Sequence, residues 1–132
     1  MEILNIAATD KTPSIIMNAE SGRFEIKGKS VPIETETFYA PILRWLESYA
    51  ESPAPVTIID IDLDFFNISS SKRILFILYR LNELADQGHS VQLKWHYFAD
   101  DDDMYEVGQD YAFMVKLPFE FVEKNRNLAA VV

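Results

Sequence analysis

Three aspartates stand two residues apart in the segment Val56-Thr57-Ile58-Ile59-Asp60-Ile61-Asp62-Leu63-Asp64, and His96, one of two histidines, lies downstream. An apolar strand running into Asp-x-Asp suits phosphoryl chemistry, in which one carboxylate attacks phosphorus and the other carries the proton beside Mg²⁺. A small Mg²⁺-dependent phosphohydrolase using Asp60, Asp62 and His96 is therefore one candidate. The spacing argues against it. Residues at i, i+2 and i+4 line one face of a strand, whereas ligands of open α/β sheets gather at the strands' C-terminal ends. The preferred reading is a solvated sheet face, on which His96 pairs with one of the carboxylates Asp60–Asp64. The run Asp100–Asp103 offers oxygen ligands to a hard cation. It lacks the alternating positions and turn glycine of a calcium loop, and reads as a solvated acidic loop. No catalytic residue, metal or cofactor is assigned on these grounds.

The other chemically suggestive stretch is Asn67-Ile68-Ser69-Ser70-Ser71-Lys72-Arg73, between a strand and a helix. Serines there serve as N-caps, and capping accounts for one of them. Lys72 and Arg73, placed in the first helical turn, oppose the helix dipole at a cost of roughly 0.3–1 kcal/mol each. They sit better if an anion is sometimes present. A phosphoryl group on a junction serine would meet free backbone N–H groups, the positive helix end and two basic side chains. Caps with solvent-facing basic residues explain the segment equally well, and the residues alone leave both readings open.

Length and composition bound what these segments can belong to. The chain has 132 residues, 48% hydrophobic and 13% aromatic, enough for one domain with a real core. Cysteine is absent, which removes disulfides, thiolate metal sites and a cysteine nucleophile together. The net charge of −9 and scattered Lys and Arg disfavour nucleic acid and anionic membranes as partners, and a protein with a basic face fits better. The opening Met1-Glu2-Ile3-Leu4-Asn5 has no secretory pattern, and Ile74–Leu84 is too short and polar to span a bilayer. The expectation is a cytoplasmic protein, for which the glycosylation sequon Asn67-Ile68-Ser69 is irrelevant.

The elements that must position these residues follow from periodicity. Lys11–Met17 reads as an edge strand, with Pro13 near its start. Arg23–Lys27 alternates strictly and is closed by Gly28, completing a hairpin. Phe38, Ile42, Trp45, Leu46 and Tyr49 share a helical stripe, with Pro41 taken to lie in the first turn. Val56–Phe66 is the strongest strand: Ile59, Ile61, Leu63 and Phe65 on one face, Asp60, Asp62 and Asp64 on the other. A helix over Lys72–Gln87 ends before Gly88. Val91–Tyr97 is a strand, Tyr105–Val115 a short helix and Leu117–Val122 a final strand. The order ββαβαβαβ predicts a two-layer α/β domain: a mixed sheet of about five strands, with helices mainly on one face. The core covers about residues 12–122 of a single domain spanning 1–132, and 123–132 carry no clear fold signal.

Several motifs recur together in a known family. Thr12-Pro13-Ser14-Ile15 followed by Gly22-Arg23, then Phe66-Asn67-Ile68-Ser69-Ser70-Ser71-Lys72, then Lys94-Trp95-His96-Tyr97, resemble the SiaC family of bacterial regulatory phosphoproteins, over about Thr12 to Phe121. The resemblance implies a STAS-like (SpoIIAA-like) architecture and partner switching. A cognate Ser/Thr kinase phosphorylates the strand-to-helix loop, a phosphatase reverses this, and the unphosphorylated form activates a target. That target would be a diguanylate cyclase, linking the chain to cyclic-di-GMP signalling and biofilm formation. No enzymatic activity, cofactor or small-molecule substrate is implied. Where the family pattern has a threonine phosphoacceptor, this chain has Ile68, which cannot accept phosphate. Either Ser69 or Ser70 takes its place, Ser69 being preferred by proximity, or the chain is a constitutive interaction module that is never phosphorylated. The partner-binding segment implied is Asn67, Ile68, Ser69, Ser70, Ser71, Lys72 and Arg73.

Overall fold

The structure, a computed structural model, describes residues 1–126. Alternating and 3.6-period apolar patterns build six strands and three helices: β1 (Leu4–Ile6), β2 (Ser14–Asn18), β3 (Arg23–Ser30), α1 (Thr35–Glu51), β4 (Val56–Phe66), α2 (Ile68–Asp86), β5 (Ser90–Phe98), α3 (Asp102–Met114) and β6 (Phe119–Lys124). The strands lie in one sheet in sequence order. β1, β2 and β3 form an antiparallel meander, and β3 to β6 run parallel, joined by the three helices.

All three helices pack on one side. Inward strand residues Phe24, Ile26, Ile59, Ile61, Leu93 and Trp95 meet Tyr39, Ile42, Leu46 and Tyr49 of α1 and Ile74, Ile77, Leu78 and Leu81 of α2 in one apolar cluster. α3 joins them through Tyr111, edge-on to Trp95 at 5.5 Å. Its Gly108 sits so close that a Cβ there would lie 2.5 Å from the Trp95 ring nitrogen. The predicted two-layer α/β architecture with a mixed sheet is what forms. Among the described residues no helix is long and apolar enough to cross a membrane.

Several expectations are corrected. The sheet has six strands, because the three-residue β1 pairs with β2; three residues are too few to show an alternating pattern. β2 is accordingly an interior strand, and the short β1 forms the edge. α1 starts at Thr35, so Pro41 lies inside the helix. Its missing N–H leaves only the carbonyl of Thr37 without its helical donor, and Thr37 is exposed to water. β6 extends to Lys124, two residues into the tail that lacked a signal. Residues 127–132 of that tail lie outside the described residues.

The acidic run is also built differently. Asp101 caps α3, accepting a hydrogen bond from the Met104 N–H at 3.0 Å, and Asp102 and Asp103 occupy the first helical turn. Carboxylates there complement the helix dipole, which explains the cluster without a bound cation.

One irregularity decides how the functional corner is made. Gly28 of β3 pairs with Leu63, but Lys29 pairs with Phe65, so Asp64 is an extra residue bulged out of β4. Gly28 accommodates the break with φ +123°. Beyond the bulge the pleat inverts. Phe65, expected on the core face, is 55% exposed. Phe66 turns inward instead, edge-on to Trp95 with ring centroids 6.4 Å apart.

Candidate functional site

The inversion brings Asn67 to the end of β4 with its backbone N–H donating to the Ser30 carbonyl at 3.0 Å. Its side-chain oxygen accepts from the Ser70 N–H at 2.9 Å, so Asn67 is the N-cap and α2 begins at Ile68. The expected loop is a single residue, and the expected helix start at Lys72 moves back one turn. Lys72 and Arg73 therefore lie in the second turn. The dipole conflict inferred for them largely disappears, since that effect fades within the first turn. Both instead lie over the Phe76 ring, at 5.8 and 5.5 Å from its centre. Arg73 also reaches Glu36 of α1 at 3.8 Å.

Because successive helical residues turn by about 100°, the three serines face three ways. Ser69 is exposed, Ser71 half-buried and Ser70 wholly buried. Ser70 lies four residues before Ile74, on the apolar stripe of α2. Its hydroxyl accepts from the Ser30 hydroxyl at 2.8 Å and donates to the Ser30 carbonyl at 3.1 Å. The Ser30 hydroxyl also contacts the Tyr39 hydroxyl at 2.6 Å. The network joins β3, α1 and α2 where the parallel strands end. Burial raises the Tyr39 pKa above its ordinary value, against the opposing effect of its hydrogen bonds to Ser30 and Ser70. In this arrangement Ser70 presents no hydroxyl to an approaching protein.

Ser69 does. Its hydroxyl pairs with that of Thr35, the first residue of α1, at 2.7 Å and donates to the Asn67 side chain at 3.2 Å. Beside it Ile68 is 90% exposed, the reverse of what an isoleucine gains by folding. Ile68, Phe66, Asn67, Ser71, Tyr111 and Met114 line a cleft of about 340 Å³ between α2 and α3. The Tyr111 hydroxyl closes its floor by donating to the Ser71 carbonyl at 2.8 Å, and burial raises its pKa. Thr35, Ser30, Tyr39, Glu36 and Met114 were not singled out from the sequence. They reach the corner from distant segments, and no local pattern marks them.

The aspartate face is arranged as a surface. Asp60 accepts from His96 Nε2 at 2.7 Å, Asp62 pairs with Lys124, and Lys94 with Glu120 at 3.9 Å. Asp64 is carried away by the bulge. Among the described residues no three histidine or acidic side chains converge to hold a metal ion. Asp60 and Asp62 sit mid-strand, bonded to His96 and Lys124, instead of meeting in a pocket at the strand ends.

Known proteins share this fold. The model of the SiaC family regulatory phosphoprotein matches residues 6–124. An uncharacterized protein of Pseudomonas aeruginosa (strain UCBPP-PA14) is 29% identical over 120 residues, covering 90% of this chain and 94% of its own. The crystal structure of apo-SiaC from Pseudomonas aeruginosa is 28% identical and superposes with a TM-score of 0.85, over 92% of this chain and 99% of that one. A chain from the crystal structure of the diguanylate cyclase SiaD in complex with its activator SiaC, from the same organism, is 26% identical with a TM-score of 0.87 over 92% and 99%. With its model matched from β1 to the end of β6, the chain belongs to the SiaC family of regulatory phosphoproteins.

Proposed function

We propose that the chain is a non-enzymatic partner switch that docks onto a diguanylate cyclase through the start of α2, with Ser69 as its phosphoacceptor. A cognate kinase would transfer the terminal phosphoryl of a nucleoside triphosphate to Ser69 Oγ. The new O–P bond replaces the bond to the departing nucleoside diphosphate, and the hydroxyl proton is lost. A phosphatase would return the hydroxyl by hydrolysis. The observation that carries this reading is the pairing of an exposed serine hydroxyl with a 90% exposed isoleucine in one helical turn. A partner packed on Ile68 must desolvate Ser69. A phosphoryl group there adds about −1.5 to −2 charge at pH 7, which such a contact cannot bury. The relative crystallised with SiaD, which is named as its activator, supports a cyclase as target. Regulation would then pass to cyclic-di-GMP.

Of the two serines weighed, Ser69 is the one proposed, since modifying Ser70 would require opening the buried network with Ser30 and Tyr39. The test is direct. Chain carrying phosphoserine at position 69, introduced during translation, is compared with unmodified chain for binding to a diguanylate cyclase of the same host. Loss of at least about tenfold in affinity is expected. Equal binding of both forms would favour a constitutive module and end the switch reading.

A further inference from the structure

Four side chains approach one another where α1 and α2 begin: Thr35 and Glu36 from the first turn of α1, Ser69 from the first turn of α2 and Arg73 from its second. Ser69 and Arg73 are four residues apart, so their side chains lie one above the other on the same face. Side chains on a helix lean toward its N-terminus, a direction in which Arg73 can reach Ser69 by leaving the Phe76 ring it now covers at 5.5 Å. At present its guanidinium contacts Glu36 at 3.8 Å, and the Glu36 side chain is 83% exposed. Such a long, solvated pair is weak. The Ser69 hydroxyl, meanwhile, holds Thr35 at 2.7 Å.

We infer that a phosphoryl group on Ser69 is received by Thr35 and Arg73, with Arg73 exchanging Glu36 for the phosphoryl oxygens. The inference rests on Ser69 being the phosphoacceptor. An anion four residues N-terminal to a cation is the favourable order on a helix. A guanidinium also grips phosphate through two parallel N–H donors, which a distant carboxylate does not match. Thr35 keeps a role, because its hydroxyl donates to a phosphoryl oxygen in place of Ser69 Oγ. Glu36 and its neighbour Glu34 repel the dianion, so Glu36 is released to solvent on the docking side. Lys72 is three residues from Ser69 but, among the described residues, makes no ion pair with α1, and lies over Phe76. Modification thus changes the corner twice: it adds a fixed anion, and it takes Arg73 away from Glu36.

The experiment uses the full chain with phosphoserine at position 69 and no kinase or cyclase present. Phosphorus NMR follows the second ionisation of the phosphate as pH is varied. It is expected at lower pH than in the R73Q chain by about half a unit, within the range for a charge pair this exposed. R73K should lie between, and T35V should raise it by less than R73Q. Identical titrations for the wild-type, R73Q and T35V chains would mean the phosphoryl group stands free in water and would overturn the inference. A larger effect from K72Q than from R73Q would overturn it too. A chain titrating as expected that still binds the cyclase fully would refute the docking reading and leave this one standing.

Discussion

On the open face of the sheet, Asp60, Asp62 and Glu120 each meet a nitrogen partner from another strand: His96, Lys124 and Lys94. At the start of α2 the arrangement is turned inside out. Polar groups of Ser30, Tyr39 and Ser70 are buried together, while Ile68 and Met114 point to water. The first region is rich in residue types that do chemistry, yet its charges are already satisfied by one another. The second has ordinary residue types in the wrong solvent. Exposed apolar groups at a rigid corner gain by docking, whereas a self-paired charged surface must give up its pairs to bind anything.

The comparison can be broken at several points, and the largest effect belongs to the buried hydroxyls. Ser70→Asp places an unpaired charge in the network and should cost about 3–5 kcal/mol in urea unfolding, while Ser69→Asp stays within about 0.5 kcal/mol. Equal effects of the two would show that the serines do not face opposite ways. Next comes alkaline pH. Burial raises Tyr39 and Tyr111 above 10.0, so the fold keeps both neutral where the unfolded chain ionises them. Their contribution is whole below pH 10 and is lost as pH rises toward the folded values, by up to about 1.4 kcal/mol per pH unit for each tyrosine. Tyr39→Phe should lessen that slope in unfolding measured from pH 9 to 11.

Ile68→Asp should weaken binding to the cyclase by at least about tenfold while leaving unfolding within about 0.5 kcal/mol. An unchanged Kd by calorimetry would move the docking surface elsewhere. The smallest effect is assigned to the open face, where Asp62→Asn should cost no more than about 1 kcal/mol, less at high salt, and leave cyclase binding alone. A defect in binding there would reverse the contrast between the regions.

Much of this was legible beforehand. The alternation of Val56–Phe66 marked β4 with its true boundaries, and the spacing of Asp60 and Asp62 marked a surface. Even the burial of Ser70 is written in the stripe, since it stands four residues before Ile74. The periodicity alone starts the helix at Lys72, because a single Asn67 cap leaves no apolar repeat before Ile74. The facing of Phe65 and Phe66 departs from the alternation for a different reason. A bulge depends on how β3 pairs with β4, and nothing within either segment marks where the register shifts.

Local pattern, then, decided the α/β class, the polar face of β4 and the segment at which β4 gives way to α2. Those properties arise from neighbours along the chain, whose periodicity dictates which side is apolar. Only the tertiary structure decided that Ser69 meets Thr35, that Ser70 is locked to Ser30 and Tyr39, and that Arg73 faces Glu36. Each of those contacts joins residues 30 or more positions apart, and it forms because packing all three helices on one sheet face brings their ends to a common corner.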